Sequence, residues 1–185
     1  MSAATDGLIV RDAREDERAA IRELTLRAYA EYSAIMTPAS WTGLERALLA
    51  ALASEEHVER IVAEQGGRLV GSVLLYPPAA DAYRGAAERV TWPEVRLLAV
   101  APEARGQGVG RVLMDECVRR ARRAGATELG LHTSRSMRIA MQMYERMGFV
   151  RAPEYDFQPD GAEVVEAYRL RLDNARPERR SGKPL

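Results

Sequence analysis

The sequence predicts an α/β (α+β) fold, a central mixed sheet flanked by helices. Three observations carry this expectation. Short β-rich runs alternate with segments of helical apolar spacing, in the order β-α-α-β-β-β-α-β-α-β-β. Gly66-Gly67 separates two β-rich runs, "VERIVAEQ" and "RLVGSVLLY", as a two-residue hairpin turn requires. The stretch "VRLLAVAPEARGQGVGRVLMDECVRRARRAG", 95–125, joins an apolar run, a proline and three alternating glycines to a long amphipathic pattern.

The first strand is "LIVRDA", 8–13. The spacing of Ile21, Leu24, Leu26, Ala28 and Tyr29 predicts a helix over 12–32 with Asp16 as its cap. A break at "MTPASWTG" precedes a second helix over 44–53, and the hairpin follows. Residues 77–93 show no period, and a connection of that length is expected to cross the surface. The strand "EVRLLAV", 94–100, runs into Pro102, which lacks the N–H that an interior strand needs. From 108 to 124, Val109, Val112, Leu113, Cys117 and Ala121 share one helix face, and Gly125 closes the helix. A strand at 128–134, a helix over 136–147 stopped by Gly148, a strand beginning at Phe149 and a last strand over 164–172 complete the order.

The 185 residues form one domain, expected over 1–173, with a disordered tail over 174–185; 46% apolar content supplies a core. Twenty-seven Lys and Arg balance 27 Asp and Glu, which leaves no global field to hold nucleic acid or an anionic membrane. Cys117, the single cysteine, cannot form an internal disulfide and recurs with the apolar positions of its helix, so it reads as a buried structural thiol. The first residues lack an apolar core of signal-peptide length, and a cytoplasmic location is expected. His57 has no second histidine or cysteine nearby, so no metal is expected. The run "RRARR", 119–123, reads as a solvated face, and the methionines at 137, 141, 143 and 147 as packing.

The glycine turn points to an anion. Gly106, Gly108 and Gly110 let a ligand approach bare backbone, and the first helical turn offers N–H groups without intrahelical partners at the positive end of the dipole. Nucleotide motifs do not fit. A dinucleotide fingerprint begun at Gly108 meets Leu113 where its third glycine belongs, and a triphosphatase loop begun at Gly106 meets Arg111-Val112 instead of Gly-Lys. Arg105-x-x-Gly108-x-Gly110 after an apolar strand instead resembles the pyrophosphate motif of the GNAT superfamily of acetyl-coenzyme-A-dependent N-acetyltransferases. "LHTSRSMRIAMQMYERMGF", 131–149, is similar to that family's second signature of strand, helix, tyrosine and "GF", and the two segments cover residues 90–157.

The resemblance implies a GNAT-type, mostly antiparallel twisted sheet and transfer of an acetyl group from acetyl-coenzyme A to a primary amine, by direct attack in a ternary complex. It implies that the backbone of Arg105, Gly106, Gln107, Gly108, Val109, Gly110 and Arg111 holds the pyrophosphate, and that the strand backbone of Leu98, Ala99 and Val100 pairs with the pantetheine arm. Tyr144 takes the place of the general acid for the departing thiolate, and Glu94 that of the base, with His132 as an alternative. Ser134 reads as a helix cap. The acceptor is expected between the first two helices and the loop joining the last two strands, near Tyr29, Tyr32, Trp41, Tyr155 and Phe157. Glu154, Asp156 and Asp160 favour a small cationic amine over a peptide. Alternatives are a protein or peptide N-acetyltransferase and a non-catalytic acyl-coenzyme-A sensor, and the resemblance allows a homodimer.

Overall fold

The computed structural model describes residues 7–54, 57–83, 85 and 87–172; the tail expected over 174–185 lies outside them. The elements are β1 (Leu8–Asp12), α1 (Arg18–Tyr29), α2 (Pro38–Ala53), β2 (Glu59–Gln65), β3 (Arg68–Tyr76), β4 (Glu94–Val100), α3 (Val109–Arg123), β5 (Glu128–Thr133), α4 (Arg138–Arg146), β6 (Val150–Arg151) and β7 (Glu166–Arg171). They build a seven-stranded sheet in the order β1-β2-β3-β4-β5-β7-β6. Only β4 and β5 run parallel; the other neighbours are antiparallel. The mixed, mostly antiparallel sheet is the one expected. The turn between β2 and β3 is the glycine pair, with φ of +57° at Gly66 and +76° at Gly67.

Element ends differ from the sequence reading for identifiable reasons. Glu17 folds back to accept from the Arg14 backbone N–H at 2.7 Å and from the Arg11 guanidinium at 2.6 and 2.8 Å. This opens a 3-10 turn at Glu15–Glu17 before α1, and Asp16 caps neither segment. α2 begins at Pro38, six residues before the expected start, because Thr37 accepts from Ser40 N–H at 3.3 Å and proline occupies the first turn. β6 is only two residues long and passes into a 3-10 turn at Pro153–Tyr155. The connection over 77–93 does not simply cross the surface: Ala82, Val90 and Trp92 are buried. Arg96 of β4 draws it inward, donating to the Ala82 carbonyl and lying 4.2 Å over the Tyr83 ring.

α3 supplies much of the core on one face of the sheet. Val109, Leu113, Met114 and Cys117 are almost fully buried, and truncating Leu113 or Met114 to Ala costs about 2–5 kcal/mol. The helix can settle this low because Gly71 of β3 has no side chain; a Cβ there would stand 2.8 Å from both Leu113 Cδ1 and Val109 Cγ1. Burial pushes the Cys117 thiol up to about 12.

The outer face of α3 is not wholly a solvated one. Arg120 is mostly buried and reaches Asp12 of β1 at 2.5 Å, Glu59 of β2 at 2.6 Å and Glu116 at 2.7 Å. Glu116 also accepts twice from Arg119, and Arg119 first, then Arg120, hold its carboxyl at about 2 against an ordinary 4.5. A depressed carboxylate stabilises the folded state above its unfolded value and loses that contribution as pH falls through its folded value. We predict that Glu116→Gln lowers the thermal midpoint by a constant amount above pH 4.5, and that the gap closes as pH approaches about 2; midpoints measured across that range check it.

Candidate functional site

The site begins where two strands separate. β4 pairs with β5 only through Glu94–Gly130 and Val95–Leu131. On its other side, Arg96 and Ala99 of β4 oppose Leu74 and Ser72 of β3, so β4 carries one residue more than its partner. Leu97 absorbs that bulge with a φ of +51°, a conformation that strains a branched side chain. Beyond Val95 the edge of β4 facing β5 has no ladder among the described residues, which leaves its backbone, the Leu98 carbonyl apart, for another chain-like partner. Tyr29 of α1 donates its hydroxyl to the Leu98 carbonyl at 3.1 Å.

The glycine turn stands beside this open edge. Gly106 and Gly108 have φ of +73° and +83°, and Gly108 caps α3, whose first internal bond is Val112 N–H to Gly108 O at 3.0 Å. No atom lies within 4 Å of where a Cβ would stand on either glycine, so the turn faces open space. Gly110 differs: a Cβ there would lie 3.5 Å from Val100, 3.6 Å from Met143 and 3.9 Å from Leu98, which ties the turn to β4 and α4. The side chains around the turn are engaged elsewhere. Arg105 reaches Glu31 at 2.7 Å and the Ala28 carbonyl at 2.9 Å, Gln107 donates to the Glu103 carbonyl, and Arg111 pairs with Asp115 at 3.0 Å. What remains to hold an anion is backbone N–H at a helix start.

On the other face of β4 lies a cavity of about 410 Å³. α2 forms one wall, the 77–93 connection another, and the ends of β5 and of the β6–β7 loop close it. Tyr29, Tyr83, Arg96, Leu97, His132 and Phe157 line it. The bulge explains the division: with Leu97 left-handed, strand alternation breaks, so Arg96 and Leu97 both line the cavity while Leu98 lies against the glycine turn.

Glu94 and His132 meet beside this cavity. Both are buried, with Glu94 Oε1 3.3 Å from His132 Nδ1, close but not aligned for a hydrogen bond. His132 Nε2 lies 3.0 Å from the Tyr155 carbonyl, which can only accept, so Nε2 carries a proton and Nδ1 is the nitrogen that faces Glu94. The imidazole is held edge-on by Tyr83 at 4.6 Å and packed by Phe157 at 5.3 Å. Tyr144 is buried at the root of α4, 5.9 Å from Phe149 between ring centres. Burial raises its phenol well above the ordinary value, helped by the nearby Tyr29 and Tyr32 hydroxyls.

The other expected acceptor residues are placed differently. Tyr29 and Phe157 line the cavity; Tyr32 packs edge-on to Tyr29 at 5.8 Å, and Tyr155 packs against Trp92 at 5.0 Å, neither of them lining it. Trp41 lies outside the lining as well. Asp156 is bound to Arg151 at 2.7 and 2.8 Å, and that guanidinium holds its carboxyl below the usual range. Ser134 caps no helix: its hydroxyl is buried with no hydrogen-bond partner among the described residues, and Met137 is the N-cap of α4. Sequence reasoning missed Arg96, Tyr83 and Glu163 in the lining. Only the isolated charge of Arg96 in an apolar strand could have signalled it.

Comparison with known proteins gives the family and the fold. The model of the acetyltransferase (GNAT) family matches residues 19–149. A mycothiol acetyltransferase from Geodermatophilus obscurus is 31% identical over 150 residues, which is 79% of this chain and 46% of that protein. The chain spans about half the length, or less, of the curated relatives it matches. Among solved structures, the ribosomal-protein-S18-alanine N-acetyltransferase of Escherichia coli superposes with a TM-score of 0.61 at 19% identity, covering 92% of this chain and 97% of its own. An N-acetyltransferase from Thermoplasma acidophilum in complex with coenzyme A gives 0.60 at 16% identity, covering 86% and 97%. These two show the shared fold.

The turn makes a stability prediction at two glycines. Gly108→Ala, forced to a φ of +83°, should cost about 1–2 kcal/mol, whereas Gly110→Ala meets only ordinary contacts inside a helix and should gain up to about 1 kcal/mol. Denaturant unfolding of the two variants without ligand checks this, and equal losses at both positions would contradict the left-handed turn.

Proposed function

The chain belongs to the GNAT family of acetyltransferases, and from that premise we propose that it moves the acetyl group of acetyl-coenzyme A to the primary amine of a small molecule. The observation that carries this reading is the parted edge of β4, with an open glycine turn against one face and a cavity against the other. Bound acetyl-coenzyme A supplies an activated thioester. The backbone of Arg105 to Arg111 takes its pyrophosphate, and the free edge at Leu98, Ala99 and Val100 pairs with the amides of the pantetheine arm as a strand would.

The remaining residues manage protons. An amine arrives as ammonium and must lose a proton before attack. The Glu94–His132 pair receives it: with Nε2 bound to the Tyr155 carbonyl, Nδ1 is the position that shares a proton with Glu94. Tyr144, kept protonated by burial, gives its proton to the departing sulfur. Cys117 is buried and, with its thiol at about 12, holds no thiolate near neutral pH, which favours direct attack over an acyl-cysteine route. The cavity volume of about 410 Å³ is on the scale of a small acceptor.

Acetyl-coenzyme A should raise the thermal midpoint, and a screen of small amines for thiol release should find turnover. Tyr144→Phe should then lower kcat on the order of a hundredfold or less with a smaller change in KM. Because burial keeps the phenol protonated above its ordinary range, wild type and Tyr144→Phe should share one alkaline limb in their pH profiles. An unchanged midpoint together with no binding in equilibrium dialysis would overturn the proposal, and binding without turnover of any amine would point to a sensor module.

A further inference from the structure

Arg96 has no acidic partner among the described residues. Its guanidinium lines the cavity, donates to the Ala82 carbonyl and lies 4.2 Å from the centre of the Tyr83 ring and 5.8 Å from that of Tyr76. No carboxylate among the described residues stands within ion-pair distance of it; Asp81, which also lines the cavity, is taken by Arg89 at 3.4 Å and by the Gly85 N–H. A guanidinium carries five N–H donors in a rigid fork suited to a carboxylate, and the aromatic faces hold this fork in place before any ligand arrives.

Its position relative to the proton-handling pair gives the fork a use. Tyr83 is touched by Arg96 on its face and by His132 at its edge, with ring centres 4.6 Å apart for the latter pair. Arg96 and His132 therefore lie within the span of one small molecule. Glu94, two residues before Arg96 on the same strand, completes the triangle. We infer that Arg96 binds a carboxylate of the acceptor, so that the amine substrates are amino acids or similar amino carboxylates, with the carboxylate on the guanidinium and the amino group toward Glu94 and His132. This rests on the acetyl-transfer reading and narrows its substrate class. The acids first expected to attract a cationic acceptor do not oppose it: none of Glu154, Asp156 and Asp160 lines the cavity, Asp156 is neutralised by Arg151 and Glu154 lies 3.8 Å from Arg169.

The test compares each common amino acid with its carboxamide, which keeps the amine and removes the charge. Calorimetry on protein saturated with coenzyme A reads binding directly, and thiol release from acetyl-coenzyme A reads kcat/KM. Coenzyme A binding, measured first in the same cell, reports on the cofactor reading separately. In wild type at least one amino acid should exceed its carboxamide by about tenfold or more, the scale of one charge-assisted hydrogen bond. Arg96→Gln should bring that ratio near one, and Arg96→Lys should restore part of it; a merely structural role for Arg96 would weaken acid and amide alike. Intact coenzyme A binding with no amino acid preferred over its carboxamide in wild type overturns the inference whether or not the variants fold. So does a preference for linear diamines over amino acids, which would move recognition to Glu163.

Discussion

The separation of β4 from β5 is the constraint on which the rest of the site depends. A parallel pair that stayed zipped would present no free backbone edge and would bring the end of β5 against Leu97, where the cavity now lies. Two features coincide with the separation: an extra residue in β4 opposite β3, and a left-handed Leu97. Such a residue costs on the order of 1–3 kcal/mol and persists only where its surroundings over-determine it. Here the surroundings are the β3 ladder, the Tyr29 hydroxyl on the Leu98 carbonyl, and the contacts of Leu98 and Val100 beneath the glycine turn.

The two faces of β4 are consequently specialised. Toward α3 and α4 the chain offers backbone donors and small residues, while the nearby arginines are tied to Glu31 and Asp115. Toward α2 it offers oriented side chains: an arginine clamped over tyrosine, and a buried glutamate beside a histidine whose tautomer is set by a carbonyl. Two surfaces of opposite character, back to back on one strand, suit a reaction that joins a phosphate-bearing acyl donor to a second substrate. The 77–93 connection belongs to this arrangement because it supplies Tyr83 and the carbonyl that hold Arg96.

Local sequence determined much of this molecule. Gly66-Gly67 specifies a turn through backbone angles that few other residues tolerate, and the apolar spacing of α3 specifies which face it buries; both are short-range properties. The left-handed glycine turn at the start of α3 was legible because its residues are close in the chain and fall in a recognisable pattern. Only the tertiary structure decided the composition of the cavity. Tyr29, Tyr83, Arg96 and His132 are far apart in sequence, and no periodicity records that a connection without regular structure will be drawn under β4 by one arginine. Charge roles were also settled in three dimensions: Asp156 reads in the sequence as an acid for a cationic acceptor and Arg96 receives no role there, yet Asp156 is neutralised by Arg151 and Arg96 faces the cavity with no carboxylate in ion-pair distance among the described residues. Pairing depends on which side chains the fold brings within a few ångströms, and that distance is a property of the packed chain rather than of any local stretch.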